Sequence, residues 1–204
     1  AQGEPLSSDS LYTKVVSRRM LQMTQHINAN WTQHVGDTGV TCWTCHRGQP
    51  VPQNIWFKDP SKEGMASFVQ ARQGQNRPDE TVGMSSLPHD FPGQIASPEA
   101  EIRVVGDRPL PTAAGGTSIQ HTERTYGLMI HMSESLGVNC TYCHNSRAVA
   151  EWSQSTPMRV NAWHGLEMVR DLNVDYLIPL RDTYPEKRLG ALGDAPKANC
   201  ATCH

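Results

Sequence analysis

Apolar residues recur three and four positions apart in three stretches of this chain, the spacing of one helical face. In the first, Val16, Met20, Met23 and Ile27 share a face. Ser8, Asp9 and Ser10 supply N-cap chemistry ahead of it, and Asn28, Asn30, Gly36 and Gly39 predict its end. In the second, Tyr126, Met129, Met132 and Leu136 form the stripe. Thr117 and Gln120 predict a capping box at its start, and Gly137 is the C-cap. The third runs through Ala162, Leu166 and Val169, with Thr156 and Pro157 at the cap and first-turn positions.

Between the first two stretches the periodicity disappears. Residues 50–116 hold nine of the 14 prolines together with many Gly, Ser, Asp and Gln residues. This composition predicts long loops over the surface, anchored to the body by Trp56, Phe57, Phe68, Phe91 and Ile102.

Each helical stretch leads to the same short sequence. Cys-x-x-Cys-His occurs at Cys42 to His46, Cys140 to His144 and Cys200 to His204, and these copies account for all 6 cysteines. Two thiols that add to porphyrin vinyl groups, followed by a histidine that binds the iron, are the attachment signature of c-type haem. A zinc ribbon pairs its motifs, and a disulfide framework has no need of a histidine after every second cysteine. The expectation is three covalent haem c groups, held by Cys42 and Cys45, Cys140 and Cys143, and Cys200 and Cys203. His46, His144 and His204 are the first axial ligands.

The chain then divides into a first haem unit (1–49), a Pro/Gly-rich connecting segment (50–116), a second haem unit (117–150) and a third (151–204). The predicted class is mainly α with extensive irregular loops, a multihaem cytochrome built of helix, turn and CxxCH units. Composition agrees. Only 37% of the 204 residues are hydrophobic, and three haems leave about 68 residues each, so much of the chain has porphyrin rather than itself to pack against.

The formal charge is −2, and six propionates would bring the ferrous holoprotein to about −8, which suits a basic redox partner and excludes nucleic acid. No run of eighteen apolar residues is present, so no transmembrane span is expected. The first residue is Ala1, with no charged-then-apolar leader after it, the pattern of a mature or trimmed product. Thioether attachment takes place outside the cytoplasm, which predicts a periplasmic location in a bacterium.

The second axial ligand of each iron decides between electron transfer and chemistry at the metal. Met129 stands eleven residues before Cys140, on the helix leading to it, with Met132 as the alternative. Met20 stands 22 residues before Cys42, with Met23 as the alternative, and the excess holds Trp31 and His34. From Ile178 to Leu189, the matching window before Cys200, there is no Met or His. His34 is therefore the best donor to the third iron, giving it two histidines and tying the ends of the chain together. His26, His121, His131 and His164 are expected at the surface or behind the ligands. Were the third iron left open, the chain would instead be a multihaem oxidoreductase. A soluble electron shuttle is a third reading, but such proteins spend fewer residues per haem.

The runs YTKVVSRRMLQMTQHINANWTQHVGDTGVTCWTCHRG, LMIHMSESLGVNCTYCHNSR and RLGALGDAPKANCATCH resemble the cytochrome subunit of purple bacterial photosynthetic reaction centres. The resemblance implies an electron-transfer protein, not an enzyme, attached peripherally at the periplasmic side of the photosynthetic inner membrane. It would re-reduce the photo-oxidised special pair of the reaction centre core subunits with electrons from a soluble donor, a small c-type cytochrome or a high-potential iron-sulfur protein. It also implies Met20 for the first iron, Met129 for the second and His34 for the third. Typical members carry four haems and an N-terminal lipid-anchoring cysteine. This sequence shows three motifs and no such cysteine.

Overall fold

The computed structural model describes residues 5–58, 83–85, 87–88, 91–104 and 118–204. The described chain is mainly helical and forms no strand; Trp56 and Lys197 pair in an isolated β-bridge. Helix α1 spans Tyr12–Asn30, α2 Thr32–Val35 and α3 Cys42–His46. A 3-10 turn follows at Phe91–Ile95, then α4 at Ile119–Leu136, α5 at Pro157–Asp171 and α6 at Cys200–Cys203. None of the described helices is long and apolar enough to cross a membrane.

The helix starts differ from expectation in two places. The N-cap of α1 is Leu11, without a side-chain bond. The Ser8 hydroxyl instead accepts from Ser10 N at 3.3 Å, a local turn that ends before the helix begins. At α4 the cap is Ser118, whose hydroxyl accepts from His121 N at 3.1 Å. Thr117 lies outside the described residues. The start of α5 and the Gly137 end of α4 follow the sequence reading, with Pro157 in the first turn and Gly137 left-handed at φ 64°.

The buried cluster is built from Ile27 of α1, Leu128 of α4, Leu166, Met168 and Val169 of α5, and the adjoining Leu172. Ile95 and Ile102 belong to the same cluster, at 1% and 8% exposure. Part of the connecting segment is thus core rather than surface loop, because its few apolar residues fill the space between α4 and α5. Trp56 pairs with the backbone of Lys197, and Phe57 packs beside Gly190. Phe68 and the Phe91 side chain are outside what is described. On α4 the buried face is Thr125, Leu128 and His131, while Tyr126 is 55% exposed; Met129 and Met132 pack at the edge of the cluster. The stripe is therefore rotated by about one residue from the Tyr126 reading.

Two polar anchors hold the segment before α6. The carboxamide of Asn173, completely buried, donates to Ile95 O at 2.8 Å and Ala198 O at 2.9 Å and accepts from Ala198 N at 2.8 Å. The Lys197 ammonium, only 2% exposed, donates to Asp194 at 2.5 Å and Ala195 O at 2.8 Å and lies 4.7 Å from the Trp56 ring centre. A buried cation is tolerated here because carboxylate, carbonyl and ring face together replace its water.

Candidate haem-binding sites

Each motif folds as a single tight turn opened by a polar residue. Thr41 N donates to Thr44 Oγ1, and Asn199 N to Thr202 Oγ1, both at 3.0 Å; Asn139 Oδ1 accepts from Thr141 N at 3.1 Å. A helical turn puts the two cysteines on one side with the histidine following. His46 Nδ1 donates to Gln49 O at 3.0 Å, and His144 Nδ1 to Val149 O at 2.9 Å. Since a carbonyl can only accept, the proton is on Nδ1 in both rings and Nε2 keeps the lone pair that binds a metal.

The third motif shares a cavity of about 200 Å³ with parts of the first. His34, His204, Cys45, Cys200 and Cys203 line it, and Ile27, Val40, Leu136, Leu166 and Val169 make its walls apolar. The His34 and His204 rings are edge-on to each other with centroids 6.0 Å apart. Two imidazoles, two attachment cysteines and hydrocarbon walls are the donor set and the surroundings that a covalent haem requires, so the residues fit the group.

His34 belongs to the stretch of excess length before Cys42, which folds as α2 and packs on α5. Trp31 begins it and donates from Nε1 to Asp171 Oδ2 at 2.8 Å. Asn28 closes the following loop, donating to Val40 O at 3.0 Å and accepting from Val40 N at 2.7 Å. A Cβ at Gly39, where φ is +65°, would stand 2.5 Å from Asn28 Oδ1 and break this clasp. His34 Nδ1 lies 3.0 Å from Asn161 O and 2.9 Å from Asn161 Oδ1. His204 is exposed as a residue, but its ring faces the cavity. Desolvation there, with His34 and Arg47 close by, lowers its pKa and favours the neutral imidazole.

The remaining ligand candidates are less closely assembled. Met20 is half-buried on α1, and Met129 packs on the core from α4. Met132, the alternative to Met129, lines the cavity of the third motif. His131 is not at the surface: it is 7% exposed, and burial lowers its pKa to about 4. His26 bonds Asp171 at 2.6 Å, and His121 Nε2 donates to Glu101 O at 2.5 Å. At the second motif, Arg159 and Cys143 interact electrostatically. Burial raises the Cys143 thiol and the guanidinium opposes that shift, while Arg159 stacks 4.1 Å from the Trp152 ring centre.

Two of the motif cysteines also meet across the first and third motifs. Cys45 and Cys203 sulfurs are joined here as a disulfide, and Cys42, Cys140, Cys143 and Cys200 are free. The physical reason is proximity, since α3 and α6 pack together with these two cysteines facing.

Comparison with known proteins places the chain. It is 50% identical over 201 residues to the photosynthetic reaction center cytochrome c subunit of Rubrivivax gelatinosus, covering 98% of this chain and 55% of that protein. The subunit of the same name from Thermochromatium tepidum is 44% identical over 198 residues, 97% of this chain and 48% of the relative. That from Roseobacter denitrificans is 47% identical over 213 residues, 98% and 56% respectively. The chain thus spans about half the length of these relatives. The model of the photosynthetic reaction centre cytochrome C subunit matches residues 1–204, and the chain belongs to that family.

Proposed function

We propose that this chain holds three covalent c-type haems and passes electrons from a soluble periplasmic donor to the photo-oxidised special pair of a photosynthetic reaction centre. In this reading it is an electron carrier rather than an enzyme and sits peripherally on the core subunits at the periplasmic face of the membrane. The donor is a small c-type cytochrome or a high-potential iron-sulfur protein. The observation that carries the reading is the family match over the whole chain, together with His34 and His204 lining one cavity at the third motif.

Bound haem supplies a one-electron couple whose potential its axial ligands set. Protein groups do the remainder. His46, His144 and His204 would each supply one ligand to a haem iron and Met20, Met129 and His34 the other, and the six motif cysteines would hold the porphyrins covalently. Apolar walls keep water away and so limit the reorganisation that accompanies each change of charge.

Flash excitation of membranes that contain the holoprotein tests the reading. The expected result is oxidation of one haem in step with re-reduction of the special pair. No haem oxidation after the flash would sink it. Rapid carbon monoxide binding to one reduced haem would favour a multihaem oxidoreductase instead.

A further inference from the structure

Gly165 stands inside α5 without a positive φ, so no left-handed turn calls for glycine there. Glycine within a helix costs about 1 kcal/mol relative to alanine, so its use needs another reason. The space a side chain would take is filled by a different residue. An ideal Cβ on Gly165 would lie 2.7 Å from Nδ1 and 2.9 Å from Nε2 of His34, closer than real Cβ contacts come. The imidazole therefore rests directly on the backbone of α5.

One turn earlier on the same helix face, Asn161 offers two oxygens to His34 Nδ1, the main-chain carbonyl at 3.0 Å and Oδ1 at 2.9 Å. The main-chain oxygen has no proton to give, so the shared hydrogen is on Nδ1. Nε2 is thereby left as the lone-pair nitrogen. Gly165 shares the face of Ala162, Leu166 and Val169 and lines the cavity with them, and Asn161 stands at the edge of that face.

We propose that Gly165 and Asn161 form a seat on α5 that sets the ring orientation and tautomer of His34 as axial ligand of the third haem. They are positioning residues, acting through His34. The inference rests on the two-histidine reading of that haem. A side chain at 165 would push the ring off the helix and away from its acceptors. The bond to Asn161 raises the basicity of Nε2, as hydrogen bonds behind metal-bound histidines do.

The test uses the full chain with its haems attached, comparing Gly165→Ala, Asn161→Asp and His34→Met with the parent. For Gly165→Ala the expected result is partial loss of the ferric two-histidine signature at one haem. Carbon monoxide should also bind that reduced haem at least about tenfold faster. For Asn161→Asp, a charged acceptor stabilises the ferric form, and the potential of this haem alone should shift down. If both variants keep the parental spectrum and potential while His34→Met raises the potential, the seat is overturned and the two-histidine reading stands. If His34→Met leaves this haem unchanged, that reading falls and the inference with it. Should Gly165→Ala not fold, Asn161→Asp decides alone, since it keeps the shape of the side chain.

Discussion

The Cα atoms of Cys45 and Cys203 lie 4.3 Å apart although 158 residues separate them in sequence. Arg47, the residue after the first motif, donates to Cys203 O at 2.9 Å, so the first and third motifs meet at their tight turns. Two facing thiols can oxidise to one disulfide or add separately to two vinyl groups. They cannot do both, so haem attachment at these motifs needs them reduced. Apo-chain oxidised beforehand should take up haem fully only at Cys140 and Cys143, and a dithiol reductant should restore the other two sites. Intact mass with peptide mapping checks the count and the positions; full attachment to the oxidised chain would contradict the expectation.

Replacing His34 with Met exchanges an imidazole for a thioether, a ligand that favours ferrous iron. The haem of Cys200, Cys203 and His204 should rise in potential by on the order of 100 mV, a fraction of the ~0.8 V that axial ligands span. Redox titration followed by absorbance resolves which of the haems moves. Movement at the haem of Cys42 or Cys140 instead would assign His34 elsewhere.

The attachment motifs could be read directly from the sequence because they are local, each within one helical turn. The position of His34 beside the third motif was reachable too, since the window before Cys200 lacks a donor and the stretch before Cys42 is longer than it need be. Gly165 and Asn173 were not reachable in this way. Their roles depend on what packs against them from 127 or more residues away at His34, and from 25 and 78 residues away at Ala198 and Ile95. The same holds for Ile95 and Ile102, which look like isolated apolar residues in a proline-rich stretch yet close the core between α4 and α5. Periodicity reports a face only where the helix itself supplies the neighbours. Tyr126 on α4 fitted the pattern but points outward, one residue away from the buried Leu128 face.

At the second motif the guanidinium of Arg159 lies in the neighbourhood of Cys143. A fixed positive charge beside a haem disfavours the ferric state, which carries the additional charge. Arg159→Leu should lower the potential of the Cys140 haem by about 1 kcal/mol, some ~40 mV for one electron, and leave the others in place. The same titration reads it, and an unchanged curve would remove Arg159 from any tuning role.

Asn173 makes three hydrogen bonds while fully buried, joining the residue after α5's final turn to the 91–95 segment and to Ala198. Asn173→Ala would leave two carbonyls and one N–H buried and unpaired. The expected loss is about 2–4 kcal/mol of holoprotein stability, read by denaturant unfolding. Because Ala198 lies two residues before Cys200, haem occupancy at the third motif should fall with it. A fully stable variant would mean that water replaces the carboxamide.

The first motif is open at the protein surface. Cys42 is exposed, Trp43 is 64% exposed, and Asp37, in the turn before it, is exposed as well. If electrons enter at this haem, the donor docks on a face whose field is set by the propionates and the excess of 20 acidic over 18 basic side chains. Attraction of a basic donor is then long-ranged and screened by salt. Donor oxidation should slow by about tenfold from low to high ionic strength, with the change in the bimolecular phase of the kinetics. Asp37→Asn removes one charge near this entry point and should slow the low-salt rate by about twofold, with the difference vanishing at high salt. A variant slowed equally at every ionic strength would place Asp37 in a structural role at the His34 loop, and parental rates indifferent to salt would require an apolar dock around Trp43.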